Sequence, residues 1–141
     1  MNDNDQYAYQ WGNVQRYFRK GHSDYIVFSN NFQSSIRYSK DHGAGKYWYS
    51  IVPSVIVDYK NLHINSHIFC FSNIGSVNLP IELLDDYLKT ADTTPDIGPV
   101  QKYHVRIQLI ESAHKCFLYT GDKYYKDVSE YLKLFRSDLI P

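Results

Sequence analysis

Tyr103-His104-Val105-Arg106-Ile107-Gln108-Leu109-Ile110 is the stretch on which the fold turns. Apolar and polar side chains alternate along it, the period of two that belongs to a strand with one buried and one wet face. Tyr103, Val105, Ile107 and Leu109 are expected inward, with His104, Arg106 and Gln108 outward. Lys115–Tyr119 follows after the short link Glu111–His114, so the two runs are expected to pair as an antiparallel hairpin.

Upstream, Tyr25–Phe28 is a short apolar run. Ser34–Ser39 alternates, with Ile36 and Tyr38 on one face and Ser35, Arg37 and Ser39 on the other. Tyr47–Val52 is rich in aromatic and β-branched residues, and Ile68–Phe71 reads as a fully buried strand. The link Lys40–Lys46 holds two glycines and an aspartate and reads as a loop. Pro53 ends the strand before it, because it donates no ladder bond. Val55–Tyr59 fits a helical turn or a strand equally, and Asn73–Asn78 reads as loop. Three helices are expected. Trp11, Val14 and Phe18 share one face of a helix over about 5–20, stopped by Gly21. Pro80 opens a second, with Leu83, Leu84, Tyr87 and Leu88 as its apolar stripe. Gly121-Asp122 opens a third, carrying Val128, Tyr131, Leu132 and Phe135, and Thr90–Pro99 is expected as a surface loop. These elements predict an α+β fold: a mostly antiparallel, strongly bent sheet or half-open barrel with about three helices packed on it. Residues 1–141 form one domain in this reading, an N-terminal helix joined to a sheet-and-helix body over about 24–135.

Bulk properties narrow the function. The chain has 141 residues, fifteen Lys+Arg balanced by fifteen Asp+Glu, 43% apolar residues and fourteen tyrosines. That is too aromatic and too weakly charged for a disordered chain. No apolar run approaches the roughly 18 residues of a membrane helix, so no membrane partner is expected. Cys70 and Cys116, each within an apolar run, read as small buried hydrophobes rather than a disulfide scaffold. Met1–Asp5 lacks the basic start and apolar stretch of a signal peptide, which points to the cytoplasm. The balanced charge is unevenly spread. Residues 61–100 hold one basic and five acidic side chains (Glu82, Asp85, Asp86, Asp92, Asp96), whereas residues 1–60 and 101–141 each hold seven basic and five acidic.

Enzyme signatures are weak. His63 and His67 are four apart, but the segment between them does not read as helix, and Ile64 stands where a zinc protease carries its glutamate. No Gly-x-Ser-x-Gly turn occurs. Gly43-Ala44-Gly45 joins two strands, not a strand to a helix, so it lacks the context of a phosphate loop. No catalytic residue, metal site or cofactor is therefore assigned. A metal-free ribonuclease built on His104, Arg106 and a tyrosine is the enzymatic alternative, since such chemistry needs only a general base, a general acid and a cation. The acidic surface over 82–96 offers a further alternative, a module that docks a basic protein.

The favoured reading is nucleic-acid binding. Outward Ser35 and Arg37, Lys40 and Lys46 at the turn, and Trp48 would give cations for phosphates and an aromatic face for a base. His104, Arg106 and Gln108 would add hydrogen-bonding groups on a second strand; Arg and Gln suit bidentate contacts with guanine and adenine. Partners in this reading are nucleic acid, DNA foremost, and a protein or larger parent chain.

Four segments taken in order carry a resemblance: Lys46-Tyr47-Trp48-Tyr49-Ser50-Ile51-Val52-Pro53, then Ile68-Phe69-Cys70-Phe71, then Leu79-Pro80-Ile81-Glu82-Leu83-Leu84, and last Tyr103-His104-Val105-Arg106-Ile107. The order resembles small accessory domains attached to restriction and other DNA-defence enzymes. It spans roughly residues 34–135 and leaves the first 30 or so outside. The resemblance implies a DNA-associated accessory role, not a nuclease centre.

Overall fold

A computed structural model describes residues 5–121 and 123–135. In chain order the elements are α1 (Asp5–Tyr9), β1 (Val14–Lys20), β2 (Ser23–Phe28), β3 (Gln33–Ser39), β4 (Lys46–Ile51), α2 (Pro53–Asn61), β5 (Ser66–Phe71), β6 (Gly75–Pro80), α3 (Ile81–Leu88), β7 (Asp92–Thr94), β8 (Lys102–Ile110), β9 (Lys115–Thr120), β10 (Lys123–Asp127) and β11 (Leu132–Leu134). The fold is α+β, with mostly antiparallel pairing and three α-helices among the described residues.

The strands form two open sheets, neither of them a closed barrel. One is six-stranded, in the order β1-β2-β3-β5-β6-β11; the other runs β10-β9-β8-β4, with β7 paired to the start of β8. Among the described residues only β3 and β5 pair in parallel, and the chain between them visits the second sheet as β4 before returning through α2. Hairpin-length links account for the antiparallel majority.

The main core lies between the sheets. Tyr25, Phe69, Phe71, Val77 and Leu79 of the large sheet meet Tyr47, Tyr49, Ile51, Val105, Ile107 and Leu118 of the small one, with Val55 and Tyr59 of α2 and Leu84, Tyr87 and Leu88 of α3. Tyr49 Oη donates across the gap to the Cys70 carbonyl at 2.6 Å. A second cluster covers the opposite face of the large sheet: Tyr7 and Ala8 of α1 over Ile26, Phe28, Ile36, Ile68 and Cys70, with Trp11 and Phe135 packed against it. The middle of the six-stranded sheet is thus buried on both sides. Both cysteines are buried free thiols, and burial raises the pKa of each. No helix among the described residues is long and apolar enough to cross a membrane.

Several local expectations change. The helix over 5–20 is a single short helix, α1, followed by strand β1. Trp11 and Val14 pack on the α1 side of the sheet while Phe18 packs on the other. Their i, i+3, i+7 spacing therefore came from a turn and a β-bulge between Val14 and Arg16, not from one helical face. The third helix is replaced by β10, a 3-10 turn over Ser129–Tyr131, and β11; Val128 and Leu132 are buried all the same. Asn73–Asn78 is largely strand β6, and Thr90–Pro99 contains β7. Val55–Tyr59 is helical, within an α2 that Pro53 starts from its first turn.

Candidate functional site

The outer face of the five-stranded sheet is built by register. Lys46 lies opposite Gln108, Trp48 opposite Arg106 and Ser50 opposite His104. On the far side of β8, Arg106 faces Tyr119 and Gln108 faces Phe117. Residues at even positions of β4 and β8 and odd positions of β9 consequently share one surface, while Tyr47, Tyr49, Val105, Ile107 and Leu118 fill the core behind it. Beyond β9, Tyr124 of β10 is 64% exposed, and its ring packs at 5.5 Å on Phe117. Lys46, Gln108, Phe117, Tyr119, Gly121 and Tyr124 line a concavity of about 240 Å³.

Trp48 is the centre of this face and remains 44% exposed. The Arg106 guanidinium stacks 4.5 Å from the ring centroid, a cation–π contact. Arg106 Nε also lies 3.3 Å from Asp92 Oδ2, an ionic contact without an aligned hydrogen bond. Trp48 Nε1 donates to His104 Nδ1 at 3.0 Å. That bond makes Nδ1 an acceptor, so the ring proton sits on Nε2, 2.6 Å from Thr94 Oγ1. Burial, and then the Arg106 charge, push the His104 pKa below its ordinary value. Both ring nitrogens are thus engaged, Nδ1 by Trp48 and Nε2 by Thr94.

The Lys40–Lys46 link is ordered by Asp41, whose carboxylate accepts from the Gly43 and Gly45 amides at 2.7 and 3.2 Å. Gly45 has φ +76° and a Cβ there would strike the Leu109 carbonyl, so only glycine lets the loop enter β4 at this height. Gln108 Nε2 donates to the Ala44 carbonyl at 2.6 Å; its nitrogen is tied to the loop, and its carboxamide is half-buried. Lys40 and Lys46 are exposed.

The β3 residues behave differently from the expectation. Ser35, Arg37 and Ser39 face the space between the sheets, not solvent. Ser35 is 1% exposed and its Oγ lies 2.7 Å from Nδ1 of buried His67, so it is no surface contact. The reason is that both faces of β3 are covered, and the polar side of the alternation became an internal hydrogen-bonding layer. Arg37 points toward the edge of the small sheet. It donates through Nε to Tyr59 Oη at 3.2 Å, through Nη1 to the Ser50 carbonyl at 3.1 Å, and through Nη2 to Ser23 Oγ at 2.9 Å. Together with Ser39 Oγ, which accepts from the Trp48 amide at 3.4 Å, it covers backbone groups on the free edge of β4. Arg37 also lines a concavity shared with His22, Ser23, Asp24, Tyr38, Trp48 and Ser50.

Of the expected site, Lys46, Trp48, Arg106 and Gln108 come together on one face and Arg37 reaches it from the side; His104 lies on that face but is buried at 7% and tied to Trp48 and Thr94, Lys40 is exposed on the link before β4, and Ser35 does not belong to the site. Phe117, Tyr119 and Tyr124 were missed. The helical reading of 121–135 hid β10; the signal available was the pair Tyr124-Tyr125 flanked by Lys123 and Lys126, which suits a strand with one wet face. Among the described residues no three His, Cys, Asp or Glu side chains cluster as metal ligands. The acidic segment also divides: Asp85 and Asp86 are exposed on α3, Asp86 pairs with Lys89, and Asp92 belongs to the Trp48 face through Arg106. No protein-family model, curated protein or solved structure matches this chain.

Proposed function

We propose that the outer face of the five-stranded sheet binds nucleic acid, DNA foremost, as the working surface of a non-catalytic accessory domain of a restriction or defence system. The observation that carries the reading is the open Trp48 ring stacked on Arg106, with Lys46 on the same strand and the aromatic concavity of Phe117, Tyr119 and Tyr124 beside it. Aromatic faces accept any base by stacking, and cations between them meet phosphates. The zero net charge of the chain does not oppose this, because attraction depends on the local surface, and Lys46, Lys123 and Lys126 are all exposed on or beside this sheet. Half-exposed Gln108 is available to read a base edge through its oxygen, since its nitrogen is held by Ala44.

The test is fluorescence anisotropy with labelled random-sequence DNA, single-stranded and duplex, at low salt. Binding should weaken steeply as salt is added. Trp48→Ala should cost about 1–3 kcal/mol, the usual worth of one stacked base. Absence of binding at tens of micromolar protein, or equal affinity for Trp48→Ala, overturns the proposal.

A further inference from the structure

Two arginines flank Trp48, and their electrostatic situations differ. Arg106 has the Asp92 carboxylate at 3.3 Å. Arg37 is half-buried, yet each of its three described hydrogen bonds goes to a neutral oxygen, of Tyr59, Ser50 and Ser23. Among the described residues no carboxylate forms an ion pair with it. Asp24, opposite Ile36 across β2 and β3, lines the same concavity but is paired with Arg19 at 3.3 Å. A guanidinium has five N–H groups, so two remain for a partner. A half-buried cation without a counter-ion is costly unless an anion completes it. Its field is felt next door: after burial, the Arg37 charge is the second cause holding the His67 imidazole down at about 3.

The space beside Arg37 suits a small organic anion. The concavity measures about 240 Å³ and is lined mainly by polar groups: His22, Ser23, Asp24 and Ser50 around Arg37, with the Trp48 and Tyr38 rings. The guanidinium fork matches a phosphoryl group bidentately. Ser23 Oγ, which accepts from Arg37 Nη2 at 2.9 Å, fixes the guanidinium there, and exposed His22 stands at the rim. An aromatic ring beside a phosphoryl site favours a phosphate that carries a base. We infer that the Arg37 concavity binds the phosphate monoester of a nucleotide, with Arg37 holding the phosphoryl oxygens and Trp48 lying against the base. This site shares Trp48 with the outer sheet face, but its phosphate seat at Arg37 lies off that face and does not require that a strand bind there. Its nucleotide is either free or the phosphorylated end of a strand, and the two sources are separable.

Amide NMR spectra of the full chain, titrated with adenosine monophosphate, adenosine and inorganic phosphate, test the inference. Adenosine monophosphate should shift the Ser23, Asp24, Trp48 and Ser50 amides with a dissociation constant on the order of 1 mM or tighter. Adenosine alone should leave them in place, and inorganic phosphate should shift those nearest Arg37. Arg37→Gln should weaken binding about ten- to a hundred-fold, as expected for loss of charge-assisted hydrogen bonds. If Arg37→Gln does not fold, His22→Ala at the exposed rim replaces it and should weaken binding measurably. No shift with either phosphate compound, equal shifts with adenosine, or undiminished binding in the folded variants overturns the inference. A parallel titration with oligonucleotides bearing a 5′-phosphate or a 5′-hydroxyl separates the sources: preference for the phosphate places a strand end in the concavity, and no preference assigns it to free nucleotide. Nucleotide binding without any oligonucleotide binding keeps this site and removes the sheet-face proposal; oligonucleotide binding without nucleotide binding does the reverse.

Discussion

Strands β3 and β8 carry nearly the same kind of alternation, yet they put it to opposite use. In β8 the polar residues Arg106 and Gln108 look outward over a face that no other layer covers among the described residues. In β3 the polar residues Ser35 and Arg37 look inward, toward α2 and the second sheet, and the apolar Ile36 is covered by α1. The difference lies in the layers, not in the strands. A period of two says that two faces differ; it does not say that the polar one is wet. In the six-stranded sheet both faces are occupied near its middle, so the polar side became an internal network in which Ser35 meets His67, both buried, and half-buried Arg37 meets Tyr59.

The contrast can be broken by substitution. The largest effect should come from the space between the sheets. Phe71 is fully buried and packs its ring 4.8 Å from Tyr47. Phe71→Ala should cost about 3–5 kcal/mol in unfolding free energy, the range for a buried aromatic, whereas Phe117→Ala on the outer face should cost about 1 kcal/mol or less. Equal shifts of the urea midpoint would mean that the outer face is covered after all.

A smaller effect follows from the buried polar layer. Burial first, then the Arg37 charge, lower the His67 pKa from 6.5 to about 3. A histidine held neutral in the fold binds fewer protons than in the unfolded chain. Its contribution is therefore whole above pH 6.5 and is lost as pH falls toward 3, at a slope of at most about 1.4 kcal/mol per pH unit. Stability curves of the wild type and His67→Gln, measured from neutral to acid pH, should converge as pH drops. Parallel curves would remove His67 from the buried layer. His104 shifts in the same direction, through burial and Arg106, so it is present in both proteins and cancels in the difference.

The smallest effect sharpens the outer face. A double-mutant cycle with Trp48→Ala and Arg106→Gln should give a coupling of about 0.5–1 kcal/mol, typical of a half-exposed cation–π pair. Zero coupling would detach the guanidinium from the ring that the nucleic-acid proposal depends on.

Much of the secondary structure was legible because it rests on local rules. The β8–β9 hairpin follows from alternation on either side of a short link. The second expected helix follows from Pro80 and the spacing of Leu84, Tyr87 and Leu88, which are buried as that spacing requires. The two false helices share one cause: a few apolar residues at helical spacing also arise when a chain turns or bulges between strands, as at Trp11–Phe18 and Val128–Phe135. Burial of Val128 and Leu132 was legible there although their secondary structure was not, since hydrophobicity reports depth more reliably than shape.

The α+β class, the hairpin of β8 and β9, and the outward placement of Arg106 and Gln108 could be read from the chain alone, because these depend on contacts between near neighbours; the burial of His104 on the same face could not. Which sheet each strand joined, that β3 lies between two covering layers, and that Arg37 reaches the rim beside Trp48 were settled only in three dimensions. Those outcomes depend on which distant segments cover a given face, and the residues on that face carry no record of what will cover it.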